Sequence, residues 1–345
     1  MMQKTDISSM LLVELQSRFH ELGLPRYKAL QVFRWLMKGV SSFGDMSDLS
    51  KADRSLLDTH FFITQLVPER VLTAKDGTVK YLFRLQDGYF IETVLMQHRH
   101  GVSLCISCQV GCKMGCVFCA SGANGFVRNL TAAELLQQIL QAQSLSGLRV
   151  DSLVMMGMGE PLDNLDTVLR FLALVHHPDG ICLSHRHISL STCGLIDGIK
   201  KLAEENLQIT LSVSLHAATQ AGREKILPVA KANPLPALMQ ALRNYFEKTG
   251  RRISFEYTMI EGVNDREEDA LALSALLKGF PAHVNLISLN ETAYYAGTAP
   301  NGRRGNGFLE RLLALKLNAT LRRSVGGDIA AACGQLAAQE NKDVK

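Results

Sequence analysis

Residues 103–119 read SLCISCQVGCKMGCVFC, a short β-rich run followed at once by a loop, and hold five of the chain's eight cysteines. No packing need explains so many thiols. Cys112, Cys116 and Cys119 form C-x3-C-x2-C directly after the run. Three thiolates on one loop suit three irons of a cubane iron–sulfur cluster, leaving the fourth iron open to an outside ligand. The competing reading is a zinc site built from the pairs Cys105/Cys108 and Cys116/Cys119. Its seven-residue gap falls below the roughly 15–20 residues usual between the pairs of a four-cysteine ribbon. Cys182 and Cys193 read as buried structural cysteines.

Downstream, the same kind of run recurs in DSLVMMGMG, RHISLST, ITLSVSLH, ISFEYTMI and HVNLISLN, each followed by a stretch of helical character. The helical stretch after the first run, SLCIS, opens at TAAE, where Thr131 and Glu134 match a capping box. Six strand–helix units in series predict a parallel sheet with helices outside it. A closed eight-unit barrel would need about two more units, so the fold class is α/β, a partial (βα)6 barrel. In such sheets ligands collect at the carboxyl ends of the strands.

Upstream, the period changes twice. RVLTAKDGTVKYLFRLQDGYFIETVLM (70–96) has two Asp-Gly turns, Asp76-Gly77 and Asp87-Gly88, between alternating apolar residues. It predicts a three-stranded meander with Glu92 in the third strand. Before it, Leu30, Phe33, Leu36 and Val40 recur at helical spacing, and Ser47 or Ser50 would cap a helix. The expected organisation is a helical accessory region over 1–65, a meander linker over 66–100, a core over 101–337 and a flexible tail over 338–345.

With 345 residues, 47% hydrophobic and 20% charged, the chain can bury a substantial core. A net charge of +4 permits a polyanionic partner without arguing for one. The opening MMQKTDISSMLLVELQSRF lacks the basic-then-apolar layout of a signal peptide. No apolar run reaches the roughly eighteen residues that span a bilayer. A cytosolic setting with reduced thiols, where clustered cysteines bind metals or do chemistry, is expected.

The triad with Phe118 before its last cysteine resembles the radical S-adenosylmethionine superfamily. Together with MGMGEPL, the LST and SLHA segments and a terminal ACGQL, it is similar to the RlmN/Cfr family of radical RNA adenine methyltransferases, from about residue 25 to 337. The resemblance implies one [4Fe-4S] cluster on Cys112, Cys116 and Cys119, with S-adenosylmethionine on the open iron and two molecules used per turnover. It implies cofactor contacts at Gly159, Glu160, Ser191, Ser214, Leu215, His216 and Asn290. Alone, Glu160 would be a carboxylate at a helix N-terminus, and His216 a core or surface histidine.

An adenine C2 or C8 carbon does not attack an electrophilic methyl group, and the family separates the steps. Cys333 takes a methyl from one cofactor molecule by displacement, as a thiolate nucleophile. The adenosyl radical made from a second molecule abstracts hydrogen from that S-methyl group, and the carbon radical adds to the base. Cys105 then releases the product by forming a disulfide with Cys333, which an external reductant resets. Glu92 falls where the family has a proton acceptor; without the resemblance it would be an exposed strand carboxylate. Cys108 departs from the family's usual serine and reads as incidental.

The resemblance also implies an RNA substrate, ribosomal RNA first and transfer or other RNA as alternatives, with an electron donor such as flavodoxin or ferredoxin. A monomer with no membrane association is expected. Arg303, Arg304, Arg322 and Arg323 are candidate phosphate contacts or simply a solvated basic loop. The segment SLNETAYYAGTAPNGRRG replaces the family's proline-rich stretch, and GGDIAAAC lacks two acidic residues usual there. Both departures lie at the substrate end and leave the RNA and the ring carbon open. Two other readings stand beside methyl transfer: a radical enzyme that has lost it, and a zinc-dependent RNA-binding module.

Overall fold

The computed structural model describes residues 4–342. The N-terminal region folds as helices α1 (Leu12–Glu21), α2 (Arg26–Leu36) and α3 (Lys51–His60). Ser50 is the cap that starts α3, its hydroxyl accepting from the Asp53 backbone N–H at 3.1 Å. Two short strands, β1 (Thr5–Asp6) and β2 (Phe61–Phe62), pair in parallel and tie the ends of this region together. The apolar faces of these helices share one continuous core with the barrel. Polar links fasten the same interface, including Arg34 to Asp179 at 2.6 Å and Arg170 to Glu14 at 2.5 Å.

The meander forms as expected: β3 (Val67–Thr73), β4 (Val79–Arg84) and β5 (Phe90–His98), antiparallel. Gly77 and Gly88 sit at φ +85° and +88°, the left-handed conformation that glycine adopts without steric cost. The meander is more than a linker. β5 bonds edge to edge with β6 (Gly101–Cys105), with Val94 opposite Cys105. One ten-stranded sheet therefore runs through both regions.

After β6 come β7 (Gln109–Gly111), the cysteine loop, α4 (Ala120–Ala123) and β8 (Phe126–Asn129). Then follow α5 (Ala132–Ser146), β9 (Ser152–Met155), α6 (Leu165–His176), β10 (Ile188–Thr192), α7 (Ile196–Glu204), β11 (Thr210–Ser214), α8 (Gln220–Ile226) and α9 (Leu235–Thr249). The series ends with β12 (Ile253–Met259), α10 (Glu267–Leu277), β13 (Ala282–Ser288), α11 (Gly302–Ala314) and β14 (Ala319–Arg322). Strands β6, β9, β10, β11, β12, β13 and β14 are parallel neighbours in that order. The Thr131–Glu134 capping box opens α5: Thr131 Oγ1 accepts from the Glu134 N–H at 3.2 Å and Glu134 Oε2 from the Thr131 N–H at 2.8 Å. Thr131→Ala is expected to cost about 1 kcal/mol of stability, read as a lower urea midpoint at unchanged slope.

Three expectations need correction. The six expected strand–helix units form, but a seventh parallel strand, β14, follows them; it alternates apolar and polar residues over only four positions, too short to read as a strand alone. The segment around Arg303 and Arg304 is not a loop but the first turn of α11, where the Asn301 side chain accepts from the Arg304 N–H at 3.0 Å. The region 338–345 is not a free tail over its described part. Residues 339–342 form a 3-10 turn, Asn341 exchanges hydrogen bonds with the Phe90 backbone at 2.7 and 2.9 Å, and Glu340 pairs with Arg70 at 3.0 Å. Residues 343–345 lie outside the described residues.

Candidate active site

Two cavities lie at the carboxyl ends of the parallel strands, side by side. The first is lined by Cys112, Cys116 and Cys119, by Gly159 and Glu160 after β9, by Ser191 on β10, by Ser214 and His216 at β11, and by Asn290 after β13. Cys333 completes it. The second is lined by Cys105, Val94, Met96, Val154, Arg322 and Arg323, and again by Cys333. The two distant thiols therefore meet at one cavity, and Cys333 belongs to both. Leu215 lines neither; it is fully buried in the main apolar core. Cys108 is likewise core, as an incidental residue should be. Cys193 is buried, but Cys182 is exposed, contrary to its reading as a structural core cysteine.

Local backbone geometry makes the cysteine loop. β7 and β8 pair antiparallel on either side of it, and the Cys112 N–H donates to the Gly125 carbonyl at 3.0 Å. Gly111 has φ +74°, and a Cβ there would lie 1.9 Å from the Gly125 oxygen. Gly111→Ala should thus open the base of the loop, and anaerobically purified variant should carry little iron. Burial pushes the Cys112 thiol up to about 12, with Cys119 and nearby carboxylates adding to it. Cys116 is raised by burial and then by Cys119 and Cys112. Holding three thiolates here requires a positively charged partner. A cationic iron–sulfur core, with soft sulfur donors and a separate iron for each thiolate, fits this donor set. Among the described residues no three His, Cys, Asp or Glu side chains converge on one point as a single-ion site demands.

Glu160 is both things the sequence suggested: it lines the cavity and caps a 3-10 turn at residues 161–164. Its carboxylate accepts from the Cys193 N–H at 2.8 Å and the Leu162 N–H at 3.1 Å, while burial raises its pKa. Gly159 has φ +102°, and a Cβ there would lie 2.6 Å from the Gln109 Cβ. Gln109 in turn accepts from the Glu160 N–H at 2.9 Å. It is fully buried and went unnoticed in sequence because a glutamine in a strand carries no signal of its own.

His216 is held in a left-handed conformation, φ +57°. Its Nδ1 accepts from the Thr258 N–H at 3.0 Å, so Nε2 carries the proton and can donate. Burial, then the Arg223 charge, push its pKa down to about 3, so the ring stays neutral over the whole working pH range. Glu256 is a second group that the sequence did not disclose. It lines the first cavity, its Oε1 accepts from Asn285 at 2.9 Å, and burial raises its pKa.

Cys105 is buried, and burial, then the neighbouring Cys333, push its thiol up to about 12. A thiol raised this far is protonated at neutral pH, and its thiolate fraction grows only as pH approaches that value. Iodoacetamide at pH 7 should therefore label exposed Cys182 well before Cys105, with the Cys105 rate climbing through pH 10; peptide mass spectrometry reads both. Cys333 is exposed as a residue, yet desolvation among the groups packed around its sulfur raises its thiol, an effect that the positive charge of Arg322 opposes. Its carbonyl accepts from Asn290 Nδ2 at 2.9 Å, and the Gly334 carbonyl accepts from the Ala120 N–H at 2.8 Å.

Of the candidate phosphate contacts, Arg322 and Arg323 border the second cavity. Arg304 is engaged by Asp265 at 2.6 Å and Glu261 at 3.7 Å. Glu92 is not an exposed strand carboxylate. It is buried, lines neither cavity, pairs with Lys80 at 2.9 Å and accepts from the Ala337 and Ala338 N–H groups at 2.7 and 3.2 Å.

Comparison with known proteins agrees with this geometry. The radical SAM superfamily profile matches residues 106–274, and that of the ribosomal RNA large subunit methyltransferase N-terminal domain matches residues 5–63. The chain is 44% identical to the probable dual-specificity RNA methyltransferase RlmN of Alkaliphilus oremlandii, over 97% of this chain and 98% of that one. It is 46% identical to the protein of the same name from Bacillus thuringiensis subsp. konkukian, over 99% and 95%. A crystal structure of a radical SAM methyltransferase from Sphaerobacter thermophilus superposes with a TM-score of 0.93 at 41% identity, covering 97% of this chain and 100% of that one. Likeness of this extent, carried by both regions and by the fold, places the chain in the RlmN-type family of radical SAM methyltransferases.

Proposed function

We propose that this chain transfers a methyl group to an adenine ring carbon, C2 or C8, of RNA, with Cys333 as the carrier and Cys105 as the thiol that releases it. The observation that carries the reading is the place of Cys333 on the shared border of the two cavities. Cys112, Cys116 and Cys119 would hold a [4Fe-4S] cluster, and Gly159, Glu160, Ser191, Ser214, His216 and Asn290 would surround S-adenosylmethionine. When bound, the cluster supplies the electron that turns S-adenosylmethionine into a hydrogen-abstracting radical.

The residues of the chain do the rest. Cys333 would give up its proton and its thiolate sulfur would take the methyl of S-adenosylmethionine with S-adenosylhomocysteine as the leaving group, a displacement to which thiolates are suited. Arg322 stabilises that thiolate across the second cavity. Neutral His216 and buried Glu160 give the first cavity one donor and one acceptor without adding a mobile proton. Asn290 and Ala120 fix the two peptide groups that follow the Cys333 side chain, so the sulfur is oriented before it reacts. Cys105, on the far side of the second cavity, would then give up its proton and attack the Cys333 sulfur. The sulfur–methylene bond breaks and its electron pair goes to the methylene carbon, which takes a proton to become the methyl of the product. An external thiol reductant resets the disulfide.

The target base has to leave its stack to reach such a site, which favours a loop or bulge of structured RNA. Ribosomal RNA is the first candidate substrate and transfer RNA the second. Arg322 and Arg323 would meet it at the mouth of the second cavity. No helix among the described residues is long and apolar enough to cross a membrane; we further assign the enzyme to the cytoplasm, as a monomer that draws electrons from a flavodoxin or ferredoxin. Incubating reduced protein with S-adenosylmethionine should add one methyl to the peptide that contains Cys333. A peptide of unchanged mass, from protein that still cleaves the cofactor, would favour a radical enzyme without methyl transfer.

A further inference from the structure

Cys333 rides on a strap, residues 326–342, that crosses the inner face of the meander. Its apolar side chains Ala331, Leu336 and Ala338 pack against Leu82, Val94, Met96 and Cys105. On its other side the strap is tied by Ser121 and Asn124 to the Leu336 and Ala337 carbonyls at 2.6 and 3.2 Å, and by Asn290 and Ala120 to those of Cys333 and Gly334. Two charged side chains stand on the same face of the sheet. Lys80 lies opposite Val94 and Leu82 opposite Glu92, so Lys80 and Glu92 are diagonal neighbours across β4 and β5. Both are almost wholly buried, with side-chain exposures of 10% and 9%, and their charged atoms are 2.9 Å apart.

Each also grips the strap, on opposite sides of Cys333. Lys80 Nζ donates to the Ala330 carbonyl at 3.0 Å, and Glu92 Oε2 accepts from the Ala337 and Ala338 N–H groups. The gripped ends are the strained ones. Ala330 and Ala338 adopt φ +51° and +43°, a left-handed conformation that costs a residue with a Cβ and persists only where its surroundings over-determine it. A buried ion pair is seldom the most stable filling for its volume; its best-attested use is to fix one arrangement among several. We propose that Lys80 and Glu92 together form a latch that positions the methyl-carrying segment, fastening residues 330–338 to the sheet so that Cys333 faces both cavities. Glu92 is on this reading a positioning residue, held away from the base by the very segment it anchors.

The inference rests on Cys333 as the methyl carrier for its catalytic consequence, but not for its structural one. Hydrogen exchange on the full-length, iron-loaded protein reads the latch directly. Glu92→Ala and Lys80→Met should each raise exchange across 330–338 while leaving the barrel strands protected. Methylation of Cys333 by S-adenosylmethionine should slow by about tenfold or more, since a small misplacement of a reacting group is enough. Glu92→Gln, which keeps an acceptor for the strap, should fall between wild type and Glu92→Ala.

A double variant, Lys80→Met with Glu92→Leu, separates positioning from stability. Filling both places with apolar groups leaves neither charge buried without its partner, so the barrel strands should stay protected while the strap is as exchangeable as in the single variants. It also serves if Glu92→Ala does not fold. Wild-type exchange across 330–338 in the double variant would overturn the latch. So would normal Cys333 methylation in Glu92→Ala combined with arrest after base attachment, because that is what a proton acceptor alone predicts. If Cys333 takes no methyl even in wild type, the exchange experiment still stands and the proposed function fails separately.

Discussion

Cys105→Ala will accumulate a covalent RNA–protein adduct through Cys333, close to one per active chain, and will release almost no methylated RNA. Methyl uptake and attachment to the base involve the first cavity and Cys333, which this substitution does not touch. Release needs a second sulfur at the second cavity, and Cys105 and Cys333 are the two thiols that line it. Cys108 cannot substitute, because it is packed into the main core. The other side chains close to Cys105, Val94, Met96 and Val154, offer no nucleophilic thiol. A carbon–sulfur link resists reducing agents, so a retarded band that persists under reduction and disappears with nuclease identifies the adduct. Sequencing the trapped RNA names the target. Free methylated RNA at wild-type yield would end the disulfide mechanism.

Cys116→Ala should purify nearly colourless, cleave no S-adenosylmethionine and methylate nothing, while retaining most of its affinity for RNA. Cys116 is the middle of the three thiols and feels both others most strongly after burial, so its loss removes a corner that the remaining two cannot replace. RNA is expected to dock elsewhere, near Arg322 and Arg323. Iron content, cofactor cleavage and RNA binding measured on one preparation separate the two possibilities. A zinc-dependent RNA-binding module predicts the reverse pattern: loss of RNA affinity along with the metal.

The cysteine triad was legible in the sequence because three thiols at tight spacing on one loop are rare, whereas Cys105, Cys333 and the cofactor contacts were expected from the resemblance to the RlmN/Cfr family. Cys112, Cys116, Cys119, Cys105 and Cys333 all reach the two cavities. So do six of the seven expected cofactor contacts, since strand ends in a parallel sheet must converge. The turns at Asp76-Gly77 and Asp87-Gly88 and the box at Thr131 and Glu134 were legible for a similar reason: each is local, and its residues report their own conformation.

What failed was non-local or compositionally disguised. α11 begins with three glycines and two arginines in six residues, a loop-like composition, and it becomes a helix through the Asn301 cap and its buried Phe308 and Leu312. β14 alternates apolar and polar residues but for only four positions, so it stands out as a strand only through its pairing with β13. Leu215 lies just past the end of β11 and is buried in the core, although Ser214 and His216 on either side of it line the cavity. Glu92 could not be interpreted alone, because its partners are Lys80 twelve positions upstream and a strap some 245 residues downstream.

Because the meander and barrel are a single hydrogen-bonded sheet, the spacing from strap anchor to releasing thiol is written in strand register. Glu92 is two residues from Val94, which faces Cys105 across the ladder. Deleting Thr93, the residue between Glu92 and Val94, would turn that carboxylate to the opposite face of β5, where Thr93 now meets Gln138 of α5, while the barrel and its iron site could still assemble. Such a shortened protein would hold its cluster but lose its grip on the carrier, so this hairpin should tolerate changes of side chain far better than changes of length.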